Sequence, residues 1–335
     1  MLTESVLFAW IGNTDLDAAD CRPGARQLND MGPIGRVLGS RRLMRVVLLD
    51  DGHEGEKAGP CYEAWLRGQC LQGMDVKVLP CTIGGATDMT AIYRAACAIL
   101  DRDSAAARQR FFLVSSGTPA MGCVWVLLAS RYNATLLESS RERGLAEIAL
   151  PLPEYEQVAL PGLKLLWEQG RGVPHDSAAR PLLAWLGNRD RKAVRDAGGR
   201  LGPVAGLLTQ QHHDTVILLY EEDDRFCQES KDYCAWLQAR LGDQAKVIPK
   251  PLNLNAKDLP TIYAATQSVV QQLRSERGDP PMDFLQSSGL TSMSIAWMLI
   301  ATGYPKARLW ETDTPKGSPA GTERVSQVVL PLLEA

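Results

Sequence analysis

Short apolar runs alternate with longer stretches of helical periodicity along the whole chain. Runs such as VLFAWI from Val6 and VVLL from Val46 are bounded by polar or turn residues and read as buried strands. Strands are expected near 6–11, 45–49, 75–79, 110–115, 134–138 and 146–150, with helices near 32–38, 60–72, 88–107 and 118–131. The later part repeats the pattern, with strands near Leu182, Thr215, Lys246, Asp283, Ala307 and Ser326. Such alternation is the signature of βα units on a parallel sheet, so the expected fold class is α/β.

The chain is written twice, at an offset of about 170 to 180 residues. AWIGNTD from Ala9 returns as AWLGNRD from Ala184, GPIGRVL from Gly32 as GPVAGLL from Gly202, and VVLLD from Val46 as VILLY from Val216. YEAWL from Tyr62 matches YCAWL from Tyr233, and Ile92-Tyr93 matches Ile262-Tyr263. The long block FLVSSGTPAMGCVWVLLA from Phe112 matches FLQSSGLTSMSIAWMLIA from Phe284. ATLLES from Ala134 then answers ARLWET from Ala307, and IALPL from Ile148 answers VVLPL from Val328. Matched blocks in one order mean two tandem Rossmann-like domains, 1–152 and 182–335, expected to pack as a pseudo-two-fold pair. The unmatched stretch 153–181, rich in Pro and Gly and holding a short helix near 163–169, reads as the linker.

Composition adds exclusions. At 335 residues the chain exceeds what one core usually organises. A net charge of -3 argues against a surface for duplex DNA, which needs a clear excess of cations. No apolar run approaches the roughly 18 residues of a membrane span, and MLTESVLFAWIGN lacks the marks of a signal peptide, so a cytoplasmic protein is expected. The cysteines Cys21, Cys61, Cys70, Cys81, Cys97, Cys123, Cys227 and Cys234 form no CxxC pair and read as reduced thiols. Of His53, His175, His212 and His213 only the last two are neighbours, and they read as a solvated helix end rather than metal ligands. No metal and no cofactor are expected.

In a Rossmann-like sheet the loops after strands one and four lie side by side at the switch point, where ligands bind. Those loops are the most repeated pieces: Gly12-Asn13-Thr14-Asp15 with Ser115-Ser116-Gly117-Thr118, and Gly187-Asn188-Arg189-Asp190 with Ser287-Ser288-Gly289-Leu290. A Ser-Ser-Gly turn opening a helix offers hydroxyls, a close backbone approach and the open N–H groups of the first turn, a combination suited to phosphate. The plainer reading is a good helix cap, with Thr118 capping and Pro119 at the first helical position. Asn13 and Asn188 either read base or ribose edges or close Asx turns. Asp15 and Asp190 either join the site or tie down their loops. Neither GxGxxG nor GxxxxGK[ST] is present, which removes a dinucleotide enzyme and a P-loop NTPase. Met121, Trp125 and Leu128, at helical spacing, read as core, as do Met293, Trp297 and Ile300.

WIGNTDLD from Trp10 with VSSGTPAMGCVW from Val114, and WLGNRD from Trp185 with QSSGLTSMSIAW from Gln286, resemble a known family. They are similar to the CARF domains (CRISPR-associated Rossmann fold) and, more closely, to the CARF-like sensor of the sigma-54-dependent regulator of RNA repair, RtcR. The resemblance covers nearly the whole chain, twice. It implies a sensor of cyclic oligonucleotides in antiviral defence or of RNA ends in RNA repair, with the ligand held at a two-fold axis. The positions carried over are Gly12, Asn13, Asp15, Ser115, Ser116, Gly117, Thr118, Gly187, Asn188, Asp190, Ser287, Ser288 and Gly289. Relatives carry one copy per chain and an attached effector. Here there are two copies, so the expectation is either a stand-alone sensor or an effector on another chain or in a part beyond this sequence. The competing expectations are a metal-independent ring nuclease acting in the same pocket and a structural adaptor with relic pockets.

The halves diverge at the Ser-Ser-Gly turn, where Thr118-Pro119 faces Leu290-Thr291, and at the end of the second strand, where Asp50-Asp51 faces Tyr220-Glu221. The expectation is that the first half supplies more of the phosphate grip and that Tyr220 stacks on a base.

Overall fold

The structure is a computed structural model that describes residues 5–22, 24, 30–69, 74–83, 85, 88–103, 109–148, 150, 180–195, 201–222, 226–254, 258–304, 306–313 and 323–328. The expected linker up to residue 179, its helix near 163–169, Cys70 and His175 lie outside the described residues. The chain divides into two units, Met1–Ala149 and Leu150–Ala335.

The first unit runs β1 (Ser5–Trp10), α1 (Asn13–Ala18), α2 (Gly32–Ser40), β2 (Arg45–Asp50), α3 (Ala58–Gln69), β3 (Asp75–Pro80), α4 (Met89–Asp103), β4 (Gln109–Leu113), α5 (Pro119–Arg131), β5 (Ala134–Ser140) and β6 (Gly144–Ile148). The second repeats it with β7 (Leu182–Trp185), α6 (Asn188–Ala193), α7 (Gly202–Leu208), β8 (Thr215–Glu221), α8 (Cys227–Leu241), β9 (Lys246–Leu252), α9 (Leu259–Arg277), β10 (Met282–Leu285), α10 (Thr291–Thr302), β11 (Ala307–Asp313) and β12 (Arg324–Gln327).

Each unit is one six-stranded sheet, in the order β3-β2-β1-β4-β5-β6 and, equivalently, β9-β8-β7-β10-β11-β12. The order reverses between the first and fourth strands, so Phe8 pairs with Phe112 and Ala184 with Leu285, and the loops that follow are neighbours. Five strands are parallel. The sixth is antiparallel to the fifth in both units, a mixed sheet where a parallel one was expected. In the first unit a short connection explains it: three residues separate β5 from β6, enough for a hairpin and far too few for a parallel crossover.

Burial follows position. β1, SVLFAW, is buried at every residue, as a central strand covered on both faces should be, whereas β3 and β6 are half open at the edges. Helices α5 and α10, which carry the chain away from the Ser-Ser-Gly turns, are apolar nearly all round and buried for most of their length. Trp125 packs on Phe112 with ring centroids 4.6 Å apart, and Trp297 stacks on Phe284 at 4.7 Å. No helix among the described residues is long and apolar enough to cross a membrane.

Two expectations are corrected. Cys21 and Cys61 are joined in a disulfide, with Cα atoms 5.7 Å apart, so the cysteines are not all free thiols; Cys81, Cys97, Cys123, Cys227 and Cys234 are. Forty positions separate the pair, a spacing without a motif, and only the packing of α1 beside α3 brings them together. His213 is buried rather than solvated: its Nδ1 lies 2.9 Å from the Arg180 carbonyl oxygen, and burial pushes its pKa down. It sits beside Asp283, a fully buried carboxylate that accepts from Arg308 Nη2 at 2.7 Å and Trp310 Nε1 at 2.8 Å. His212 remains exposed.

Candidate functional site

The loop after β1 is the start of α1. Asp15, third in that helix, reaches back to accept from Gly12 N–H at 3.2 Å, closing the first turn. Its other oxygen accepts from Ile34 N–H at 2.9 Å, at the start of α2. Ser116 Oγ donates to Asp15 Oδ2 at 2.6 Å and also lies 2.5 Å from the Trp10 carbonyl. One buried carboxylate therefore ties the ends of β1 and β4 to the openings of α1 and α2.

The second unit repeats the brace. Asp190 accepts from Gly187 N–H at 3.1 Å, Val204 N–H at 2.9 Å and the Ser288 hydroxyl. Here Gly187 N–H also reaches Ser288 Oγ at 3.1 Å. Burial pushes the Asp15 carboxyl up to about 6 against the opposing pull of Ser116, Ile34 and Gly12, and it raises Asp190 likewise.

The loops touch backbone to backbone. A Cβ on Gly12 would lie 2.7 Å from Gly117 N, and one on Gly187 would lie 2.8 Å from Gly289 N. Gly117 and Gly289 have φ of +84° and +92°, a region that favours glycine. Thr118 N–H and Leu290 N–H then donate to the thioethers of Met121 and Met293, both at 3.3 Å. Sulfur is a weak acceptor, so an anion oxygen can take over either amide.

The sequence-derived candidates fall into two groups. Asp15, Ser116, Asp190 and Ser288 are buried and spend their polar atoms on the brace, which corrects their reading as ligand contacts. Gly12 and Gly187 are buried with them and serve the close approach of the loops. Tyr220 is corrected too: it is 3% exposed in the apolar cluster with Leu182, Tyr233 and Trp310, so its ring cannot stack on a base. Asn13, Thr14, Asn188 and Arg189 are exposed, while Ser115, Gly117, Thr118, Ser287 and Gly289 are partly so. Ser115 Oγ accepts from Ser139 N–H at 2.8 Å, and Ser287 Oγ from Thr312 N–H at 2.9 Å, stitching the turns to β5 and β11. The open rim thus consists of asparagine side chains, loop backbone, hydroxyls and, in the second unit, the Arg189 guanidinium.

Sequence reasoning missed the amides of Ile34 and Val204 and the paired arginines Arg189 and Arg191. Arg191 donates to Asn188 Oδ1 at 2.7 Å while its guanidinium lies over Phe226, 4.6 Å from the ring centroid. The signal for the amides was present: the blocks opening at Gly32 and Gly202 also repeat, each starting with Gly-Pro. Among the described residues, no group of three His, Cys, Asp or Glu is placed to hold a metal ion.

No family profile matches this chain, and no curated protein matches it by sequence. Solved structures do. A type III CRISPR defence DNA nuclease activated by cyclic oligoadenylate superposes with a TM-score of 0.54 at 12% identity, over 97% of this chain and 67% of that one. Enterococcus italicus Csm6, bound to cyclic hexa-2'-fluoro-hexa-dAMP, covers 83% of this chain and 64% of its own at 14% identity, with a TM-score of 0.38 that carries no argument. Can2 from Sulfobacillus thermosulfidooxidans in complex with cyclic tetra-adenylate does so at 0.29, with 10% identity over 90% of this chain and 96% of that one, and carries none either. This chain therefore shares its fold, two Rossmann-like α/β units, with the CRISPR defence nuclease.

Proposed function

We propose that this chain senses a cyclic oligonucleotide, of the cyclic oligoadenylate class, in CRISPR-type antiviral defence, and passes the signal to an effector on another chain or beyond this sequence. The observation that carries the reading is the duplicated switch-point site. In each unit a buried Asp–Ser brace fixes a Gly-Asn turn against a Ser-Ser-Gly turn at the carboxyl edge of the sheet. Each rim offers an asparagine and a helix-opening amide that donates to a thioether sulfur, donors suited to phosphate and base edges. The brace prepays the ordering of these loops, so binding need not order them. The shared fold with a nuclease activated by cyclic oligoadenylate supports the ligand class.

The test is calorimetry on the full chain with cyclic di-, tri-, tetra- and hexa-adenylate and with short RNA bearing a 2',3'-cyclic phosphate, followed by chromatography of the ligand. At least one cyclic oligoadenylate should bind and be recovered intact. Affinity should fall with salt, less steeply than for duplex DNA, because few phosphates are neutralised. Cleaved product would make the chain a ring nuclease instead of a sensor. Binding of the RNA end alone would move it to RNA repair, and silence up to high micromolar ligand would overturn the reading.

A further inference from the structure

We propose that Arg189 is the phosphate-recognising side chain of the second unit, so that the ligand's negative charge is gripped chiefly there. The inference rests on the ligand class proposed above.

Arg189 is the second residue of α6 and is exposed. Its Nη2 donates to the Ser287 carbonyl at 3.3 Å, so the guanidinium spans from the Gly-Asn turn to the Ser-Ser-Gly turn. That weak bond uses one of five donors. Among the described residues no carboxylate forms an ion pair with Arg189, whereas Arg195 pairs with Glu229 and Arg308 with Asp283. Asp190, buried beneath, feels its charge without touching it. A guanidinium laid across a candidate anion site with most of its fork open matches the bidentate geometry of a phosphate.

Arg191 sharpens the site. Its bond to Asn188 Oδ1 commits the amide oxygen, which leaves the Nδ2 group to donate toward a phosphate or base acceptor. The first unit has neither device. Thr14 stands where the second has Arg189, and Leu16 where it has Arg191, so its two loops carry no cation. An acidic residue follows the second strand's apolar run in both units, Asp51 facing Glu221, while Asp50 faces the buried Tyr220. The cation separates the two rims. The lopsidedness is therefore the reverse of that drawn from Thr118 and Leu290. Ser116 and Ser288, buried in equivalent braces, cannot report it.

The experiment is calorimetry of the full chain with cyclic tetra- and hexa-adenylate across a salt series, for wild type, Arg189→Ala, Arg189→Lys and Thr14→Ala. Arg189→Ala should weaken binding about ten- to hundredfold and flatten the salt dependence, since a charged hydrogen bond is lost. Arg189→Lys should recover part of the loss, and Thr14→Ala should cost less than about threefold. Unchanged melting for the exposed Arg189 variants excludes misfolding. If wild type binds and Arg189→Ala binds equally, or weakens with an unchanged salt slope, the assignment is overturned while the ligand class stands. If wild type binds none of the cyclic di-, tri-, tetra- and hexa-adenylates, both fall together.

Discussion

The two units make the same site and secure it differently. In the first, the segment leaving α1 is bonded to α3 through Cys21–Cys61. In the second, the end of α6 meets α8 through Arg195–Glu229, an ion pair at 2.8 Å whose arginine is 70% exposed. Asp232 stands where the first copy has Cys61. At the switch point, by contrast, carboxylate, serine and two helix-opening glycines are retained in place. What the brace must do is set by backbone geometry and tolerates little change. What ties the helix behind it has only to restrain a segment, and two chemistries serve.

The largest effect should come from removing the brace, the feature the units share. Asp15→Ala leaves the Gly12 and Ile34 amides and the Ser116 hydroxyl without their acceptor, and should destabilise the first unit by about 3 to 5 kcal/mol. Asp190→Ala should do the same to the second. Urea unfolding with pulsed hydrogen exchange, read on peptides of each unit, locates the loss. Undiminished protection in the mutated unit would show that the carboxylate is dispensable.

The disulfide should separate the units. It closes a loop of 40 residues, so reduction or Cys21→Ser should cost the first unit up to about 4 kcal/mol, by the chain-entropy estimate. Arg195→Ala should cost the second less than about 1 kcal/mol, as exposed ion pairs contribute little. Exchange on the same peptides with and without reductant checks both. Equal losses would erase the contrast.

A smaller effect follows from pH. Because burial raises Asp15 to about 6 in the folded chain from an ordinary value near 3.8, the folded unit holds its proton longer than the unfolded one. The group's contribution is full below about pH 3.8 and is lost as pH rises through 6, by roughly 3 kcal/mol in all. Asp190 acts with the same sign. Urea midpoints between pH 4 and 7, for wild type and Asp15→Asn, should show this slope weakened in the variant. An identical slope would place the titration elsewhere.

Both fold and switch point were legible in the chain. Short apolar runs, helical stretches and repeated blocks are local signals, and they place β1 to β6 and β7 to β12 to within a few residues. The antiparallel sixth strand was less so, because periodicity carries no direction. The helix beginning at Asn13 was read as an open turn, since its capping carboxylate lies inside the same four residues.

By itself the sequence determined that two α/β units follow one another and that each sets a Gly-Asn turn beside a Ser-Ser-Gly turn. Repetition and strand order are properties of the chain taken in sequence. Only the tertiary structure decided which side chains face out. Ser116 meets Asp15 across 101 positions, Cys21 meets Cys61 across 40, and Tyr220 turns into the core while Arg189 stays at the rim. A hydroxyl or carboxylate has the same composition whether it binds a ligand or a neighbouring amide. Its role is fixed by which distant group lies within about 3 Å, and packing brings that group there.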